Sequence, residues 1–233
     1  MTENFMRILR AGKKGIETAV KYLKAGKSVV YPTDTAYGLA VDATNLKAVK
    51  QLMKIKQRGK KPVHVVVSGL KMAKQYAKIT PLAEKIFKKF FPGRMTLVLP
   101  LGERPLLAFG HPPQAWGGKG EVEALRLLSA GTGTIGIRMP KNRIALELSR
   151  KLGRPITTPS ANPGRGLTPY SINDSFVQFA NKKHQPDLYL DGGKLKKSQP
   201  STIIKVEGKK IKILREGPIT HKQIAKFLKN AHI

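Results

Sequence analysis

Five short polar segments contain the residue types best suited to chemistry, and each stands at the edge of an apolar run. Tyr31-Pro32-Thr33-Asp34-Thr35-Ala36-Tyr37-Gly38-Leu39 is a stiff, hydroxyl-rich stretch. Lys56 to Pro62 packs four cations, Lys56, Arg58, Lys60 and Lys61, into six residues. Thr134 to Pro140 carries Arg138, Thr157 to Asn162 offers hydroxyls and an amide, and Arg215-Glu216-Gly217-Pro218 adds another arginine. Taken one at a time, these are ordinary turns and a solvated basic face. Together they supply guanidinium forks, an ammonium and hydroxyl donors with no obvious nucleophile, which is what an anionic triphosphate requires.

Other chemistries are poorly served. Cysteine is absent, which excludes disulfides, thiolate zinc sites and a cysteine nucleophile. The histidines (His64, His111, His184, His221 and His232) show no metal-ligand spacing, and no close carboxylate pair suggests glycosidase work. There is no Walker A sequence and no HExxH. Gly131 to Gly136 matches GxGxxG but precedes a strand pattern, so no helix N-terminus follows it to hold a pyrophosphate.

Composition sets the bounds. At 233 residues the chain has room for one large α/β domain with its own core. No apolar run approaches the length of a membrane span, and Met1 to Arg10 lacks the pattern of a signal peptide, so a cytoplasmic protein is expected. The formal charge of +30 draws polyanions and suggests salt-sensitive contact with RNA. The plainer reading is a lysine bias that keeps the protein in solution, since the lysines are scattered and the aromatics few.

Helical and extended patterns alternate along the whole chain. Ile16, Ala19, Val20 and Leu23 recur at helical spacing before Gly26. Further helices are expected over 45–57, 80–91 and 143–152, from Ser171 with Asp174 at capping-box spacing, and from Thr220 with Gln223. Strands are expected over 28–31, 63–67, 95–99, 134–137 and 156–158, with a late hairpin of 202–206 and 210–214 around Glu207-Gly208. The pattern predicts an α/β sandwich on a mixed, twisted sheet flanked by helices, with the polar segments at strand ends where ligands collect. Gly102 to Gly133, rich in Gly and Pro and holding Trp116, is expected as a long functional loop.

In that order, PTDTxYGL, KxR, TxxxRxP, PSAN and a late PST with LREGP resemble the YrdC-like family, the threonylcarbamoyl-AMP synthases. The match runs from about Lys14 to Pro218. It implies a YrdC-like open sandwich in its short form, one domain over 1–233 with an insertion at about 102–133. It also implies condensation of L-threonine, bicarbonate and ATP, with Mg2+, into threonylcarbamoyl-AMP and pyrophosphate. A separate transferase complex would pass the product to tRNA. By motif, Thr35, Arg138, Thr158 and Ser201 would hold threonine. Arg58, Lys61, Thr134, Ser160, Asn162, Thr168 and Arg215 would hold ATP, with Lys56 and Arg58 as the catalytic cations and no residue ligating a metal.

Two residues depart from the family's pattern. Lys61 stands where many members have Asn, and Val66 where a histidine is common. His64 lies two residues earlier on the same predicted strand face, as a substitute or simply as a strand residue. Two rival readings remain. One is a YrdC-like paralogue that binds double-stranded RNA or tRNA without catalysis. The other is carbamoyl-adenylate chemistry for hydrogenase maturation, which this short chain is poorly equipped to perform.

Overall fold

The computed structural model describes residues 7–57, 59, 61–102 and 118–230. Their elements run β1 (Arg7–Arg10), α1 (Lys13–Lys24), β2 (Val29–Pro32), β3 (Tyr37–Ala40), α2 (Leu46–Lys56), β4 (Val65–Val66) and α3 (Leu70–Tyr76). Then follow α4 (Pro81–Phe90), β5 (Met95–Pro100), α5 (Lys119–Leu128), β6 (Thr134–Arg138), α6 (Arg143–Leu152) and β7 (Ile156–Thr157). The last third holds α7 (Ile172–Phe179), β8 (Leu188–Asp191), β9 (Thr202–Glu207), β10 (Lys210–Arg215) and α8 (His221–Asn230).

The local chemistry explains the ends of these helices. Asn45, Thr80 and Asn142 each accept a backbone N–H as N-caps of α2, α4 and α6, and Ser171 with Asp174 closes the expected capping box on α7. Gly153 takes the left-handed conformation that ends α6. α2 stops at Gln57, which is also left-handed, so the chain turns away immediately after Lys56.

Where one mixed sheet was expected, the described strands form two. The smaller has the order β1-β8-β2-β3 and the larger β10-β9-β5-β6-β4-β7. Both are mixed: β1 and β2 run parallel to β8 while β2 and β3 are antiparallel, and β5 runs parallel to β9 but antiparallel to β6. The sheets meet along a seam between β3 and the segment after β7. Antiparallel bridges pair Gly38 with Ser160 and Asp42 with Ile156, and Ala161 donates its N–H to the Tyr37 carbonyl at 2.8 Å.

Alternation along β2 divides the apolar packing. Val30 faces a large core with Leu39, Leu52, Ile86, Leu97, Ile137 and Ile204. Val29 and Tyr31 face a second cluster under α1 and α6, with Ile16, Leu23, Leu148 and Leu190. The expectation of a structureless loop over 102–133 is corrected in part, because α5 occupies Lys119–Leu128 and buries Ala124, Leu125 and Leu128. Helical spacing of those apolar residues outweighs the Gly-rich flanks. Residues 103–117, which hold Trp116 and much of the expected functional loop, lie outside the described residues.

Candidate active site

The β2–β3 loop, the end of β6 and the chain before β9 converge beside the seam. Thr33 Oγ1 pins the loop by donating to the Ala36 carbonyl at 2.7 Å, while Asn142 Nδ2 donates to the Thr33 carbonyl. This presents Asp34 and Thr35 to β6. Arg138 Nη2 donates to Asp34 Oδ1 at 2.7 Å and reaches Thr35 Oγ1 at 3.3 Å. Both partners of the ion pair are buried, with side chains 8% and 6% exposed.

Two polar groups in this pocket lack protein partners. Among the described residues, Arg138 Nε and Thr158 Oγ1 are buried and accept or donate no hydrogen bond of ordinary geometry. The Tyr31 phenol stands near Thr158 but gives its proton to the Thr157 carbonyl at 3.1 Å. Burial pushes that phenol well above its ordinary range, partly offset by the Thr158 hydroxyl. An unpaired polar atom in such a place costs about 1–3 kcal/mol, a cost that a ligand can remove.

Ser201 closes the pocket from the larger sheet. Its hydroxyl pairs with Thr96 Oγ1 at 2.8 Å, and Thr96 lies directly across from Arg138 in the β5–β6 ladder. Arg215 comes from β10, where a register shift between Ile213 and Arg215 swings the side chain back toward Ser201. Its Nε and Nη2 clasp the Ser201 carbonyl at 3.0 and 2.7 Å. Gly217 makes this approach possible, since a Cβ there would sit 2.3 Å from the Pro200 carbonyl oxygen. Partial burial, and secondarily the charge of Arg138, hold the Arg215 guanidinium below its ordinary pKa. Two guanidiniums thus share one anion-seeking region.

Lys56 reaches the loop that follows β7. Its ammonium is buried and donates to the Ser160 carbonyl at 2.5 Å, to the Asn162 carbonyl, and to Asn162 Oδ1 at 3.1 Å. Three acceptors match its three N–H groups, so it anchors the 158–162 loop from beneath. The same loop is tied internally, with Ser160 Oγ donating to Asn162 Oδ1 and Asn162 Nδ2 donating to the Gly166 carbonyl.

The remaining nucleotide candidates spread outward. Thr134 opens β6, half-buried, its hydroxyl 2.8 Å from that of Thr132. Four residues of strand separate it from Arg138, about 13 Å on one face. Between them lies Gly136, and a Cβ there would meet the His64 ring at 2.3 Å. His64 is therefore half-buried on the same face, just ahead of β4. Val66, where the family pattern favours histidine, is an apolar core residue. Thr168 and Lys61 are exposed, and Arg58 lies outside the described residues. The sequence reading assigned no role to Thr96 or Asp34; their contacts join residues more than a hundred positions apart in the chain. Among the described residues no group of three or more His, Asp or Glu side chains could hold a metal ion, and no helix is long and apolar enough to cross a membrane.

This fold has counterparts among known proteins. The sequence profile of the Sua5/YciO/YrdC family, described as telomere recombination, matches residues 21–217, and the chain belongs to that family. A Methanocaldococcus jannaschii protein named for threonylcarbamoyl-AMP synthase activity is 35% identical over 215 residues, covering 92% of this chain and 91% of that one. The threonylcarbamoyl-AMP synthase of Pyrococcus abyssi is 31% identical over 91% of this chain, which spans only 57% of that longer protein. The crystal structure of P. abyssi Sua5 complexed with L-threonine superposes with a TM-score of 0.79 at 29% identity, covering 95% of this chain and 59% of that one.

Proposed function

We propose that the chain is an L-threonylcarbamoyladenylate synthase, a nucleotidyltransferase that makes threonylcarbamoyl-AMP and pyrophosphate from L-threonine, bicarbonate and ATP. The observation that carries this reading is the buried cluster of Thr35, Arg138, Thr158 and Ser201, with an N–H and a hydroxyl buried and unpartnered. A hydroxy amino acid has the groups to satisfy both. A relative bearing that activity and a related structure with L-threonine support it.

In this reading Arg138 holds the threonine carboxylate, and the pocket hydroxyls pair with the threonine hydroxyl. A site built that way penalises analogues that lack it. The threonine nitrogen adds to bicarbonate with loss of water to give a carbamate. A carbamate oxygen then attacks the α-phosphorus, and pyrophosphate leaves. Such transfers rely on positioning and charge neutralisation. Arg58, Lys61, Thr134, Ser160, Thr168 and Arg215 hold the nucleotide, while Lys56 and Asn162 shape the loop that presents Ser160. Mg2+ would supply charge neutralisation at the triphosphate, and no residue of the chain is assigned to hold it. The product supplies tRNA threonylcarbamoyladenosine modification through a separate transferase complex, in the cytoplasm, and residues 1–233 act as one YrdC-like domain.

The +30 charge favours one second reading, a non-catalytic protein that grips double-stranded RNA or tRNA. Pyrophosphate release from ATP, bicarbonate and magnesium, with and without L-threonine, separates the two. Threonine-dependent release that disappears in Arg58→Ala supports the synthase. Absence of release together with tight, salt-sensitive RNA binding supports the RNA-binding alternative.

A further inference from the structure

Asp34 is held at both ends of its carboxylate. Oδ1 accepts from Arg138 Nη2 at 2.7 Å, and Oδ2 accepts from the Lys141 backbone N–H at 3.1 Å. The carboxylate cannot swivel without breaking one of these bonds. Arg138 is gripped correspondingly: Nη2 faces Asp34 and the Thr35 hydroxyl, while the buried Nε–H is left without a partner. A guanidinium is planar and rigid, so fixing Nη2 at one edge fixes the direction of Nε–H.

We propose that Asp34 is a positioning residue for threonine recognition, acting through Arg138. It sets the plane of the guanidinium so that the unpartnered edge faces the substrate carboxylate. This rests on the reading that Arg138 holds threonine. The plainer role would be charge balance for a buried arginine, and a buried ion pair alone is weak evidence for stability. Position and charge can be separated experimentally. Asp34→Glu keeps the charge but moves the carboxylate by a methylene. Asp34→Asn keeps the shape but sets an amide against either Arg138 or the Lys141 N–H.

The experiment is steady-state pyrophosphate release by the full chain, with KM measured separately for L-threonine and ATP. Wild type, Asp34→Glu, Asp34→Asn and Arg138→Lys are compared, with thermal melting as the folding control. Losing one well-aimed charged hydrogen bond predicts a rise of about ten-fold in KM for threonine in both Asp34 variants, with KM for ATP within about two-fold. A fold merely loosened would move both constants together, and that result overturns the proposal. So does a wild-type threonine KM in Asp34→Glu while Arg138→Lys raises it, which would leave charge balance as the role. If Arg138→Lys leaves the threonine KM unchanged, the underlying reading fails and the proposal with it.

Discussion

At one end of the site, Thr35, Arg138, Thr158 and Ser201 are all buried and sit on strand ends whose partners are other protein groups. At the other end, Thr134 and Ser160 are half-buried and Thr168 and Lys61 are exposed, while Arg215 is partly buried against the Ser201 carbonyl. A small amino acid offers few contacts, so its pocket must be preorganised to discriminate, with each donor aimed before binding. A nucleoside triphosphate brings charge and area enough to bind an open surface. In the proposed reading, the closed end sets specificity and the open end mainly supplies neutralising charge. Lys56 stands beneath the loop that joins them.

That division can be broken at the joint or at either end. Lys56→Met should do most damage, because it removes the one ammonium that ties the Ser160 and Asn162 carbonyls and Asn162 Oδ1 together. A loss of about 3 kcal/mol in denaturant unfolding is expected, with KM raised for both substrates. Thr158→Val removes a hydroxyl that has no partner, so stability should hold or rise slightly in the same assay. KM for L-threonine should nevertheless rise about ten-fold. Unchanged threonine kinetics in this variant would remove Thr158 from the closed end. Thr168→Ala, at an exposed position, should raise KM for ATP only about two-fold and leave threonine untouched. A larger effect would mean that the open end closes on its ligand.

Much of the scaffold could be read from local signals. The capping box at Ser171 and Asp174, the hairpin turn at Glu207-Gly208 and the apolar faces of α1, α2, α4 and α6 depend on residues close in sequence. The strands β1, β3 and β8 escaped that reading. Each is four residues long, and β1 and β8 are defined by pairing Arg7 with Leu188 across the chain, which no local period encodes. Tyr37–Ala40 reads as loop because Gly38 and the hydroxyls before it are turn formers. The same distinction holds within the site. Residue type pointed to Arg138 and Thr158, and the family resemblance to Ser201, but the burial of Lys56 under its own loop and the grip of Asp34 on Arg138 arise from elements 104 residues apart. Side-chain chemistry alone suggests a phosphate ligand for Lys56; packing turns that ammonium inward.

The smaller sheet has a consequence for how the protein is made. β8 lies between β1 and β2, so two strands from the N-terminal region wait for one near residue 190 before their edges are satisfied. The Tyr37 hydroxyl likewise gains its contacts with Gly192 and Gly193 only then. Pairings of such long sequence separation carry a large loop-closure entropy and form slowly. On the ribosome, the Thr35 loop emerges early but waits for Arg138 and Asn142, which lie 104 and 109 residues beyond their partners in it. A nascent chain should therefore expose unpaired strand edges for most of its synthesis, and depend on chaperones during that interval.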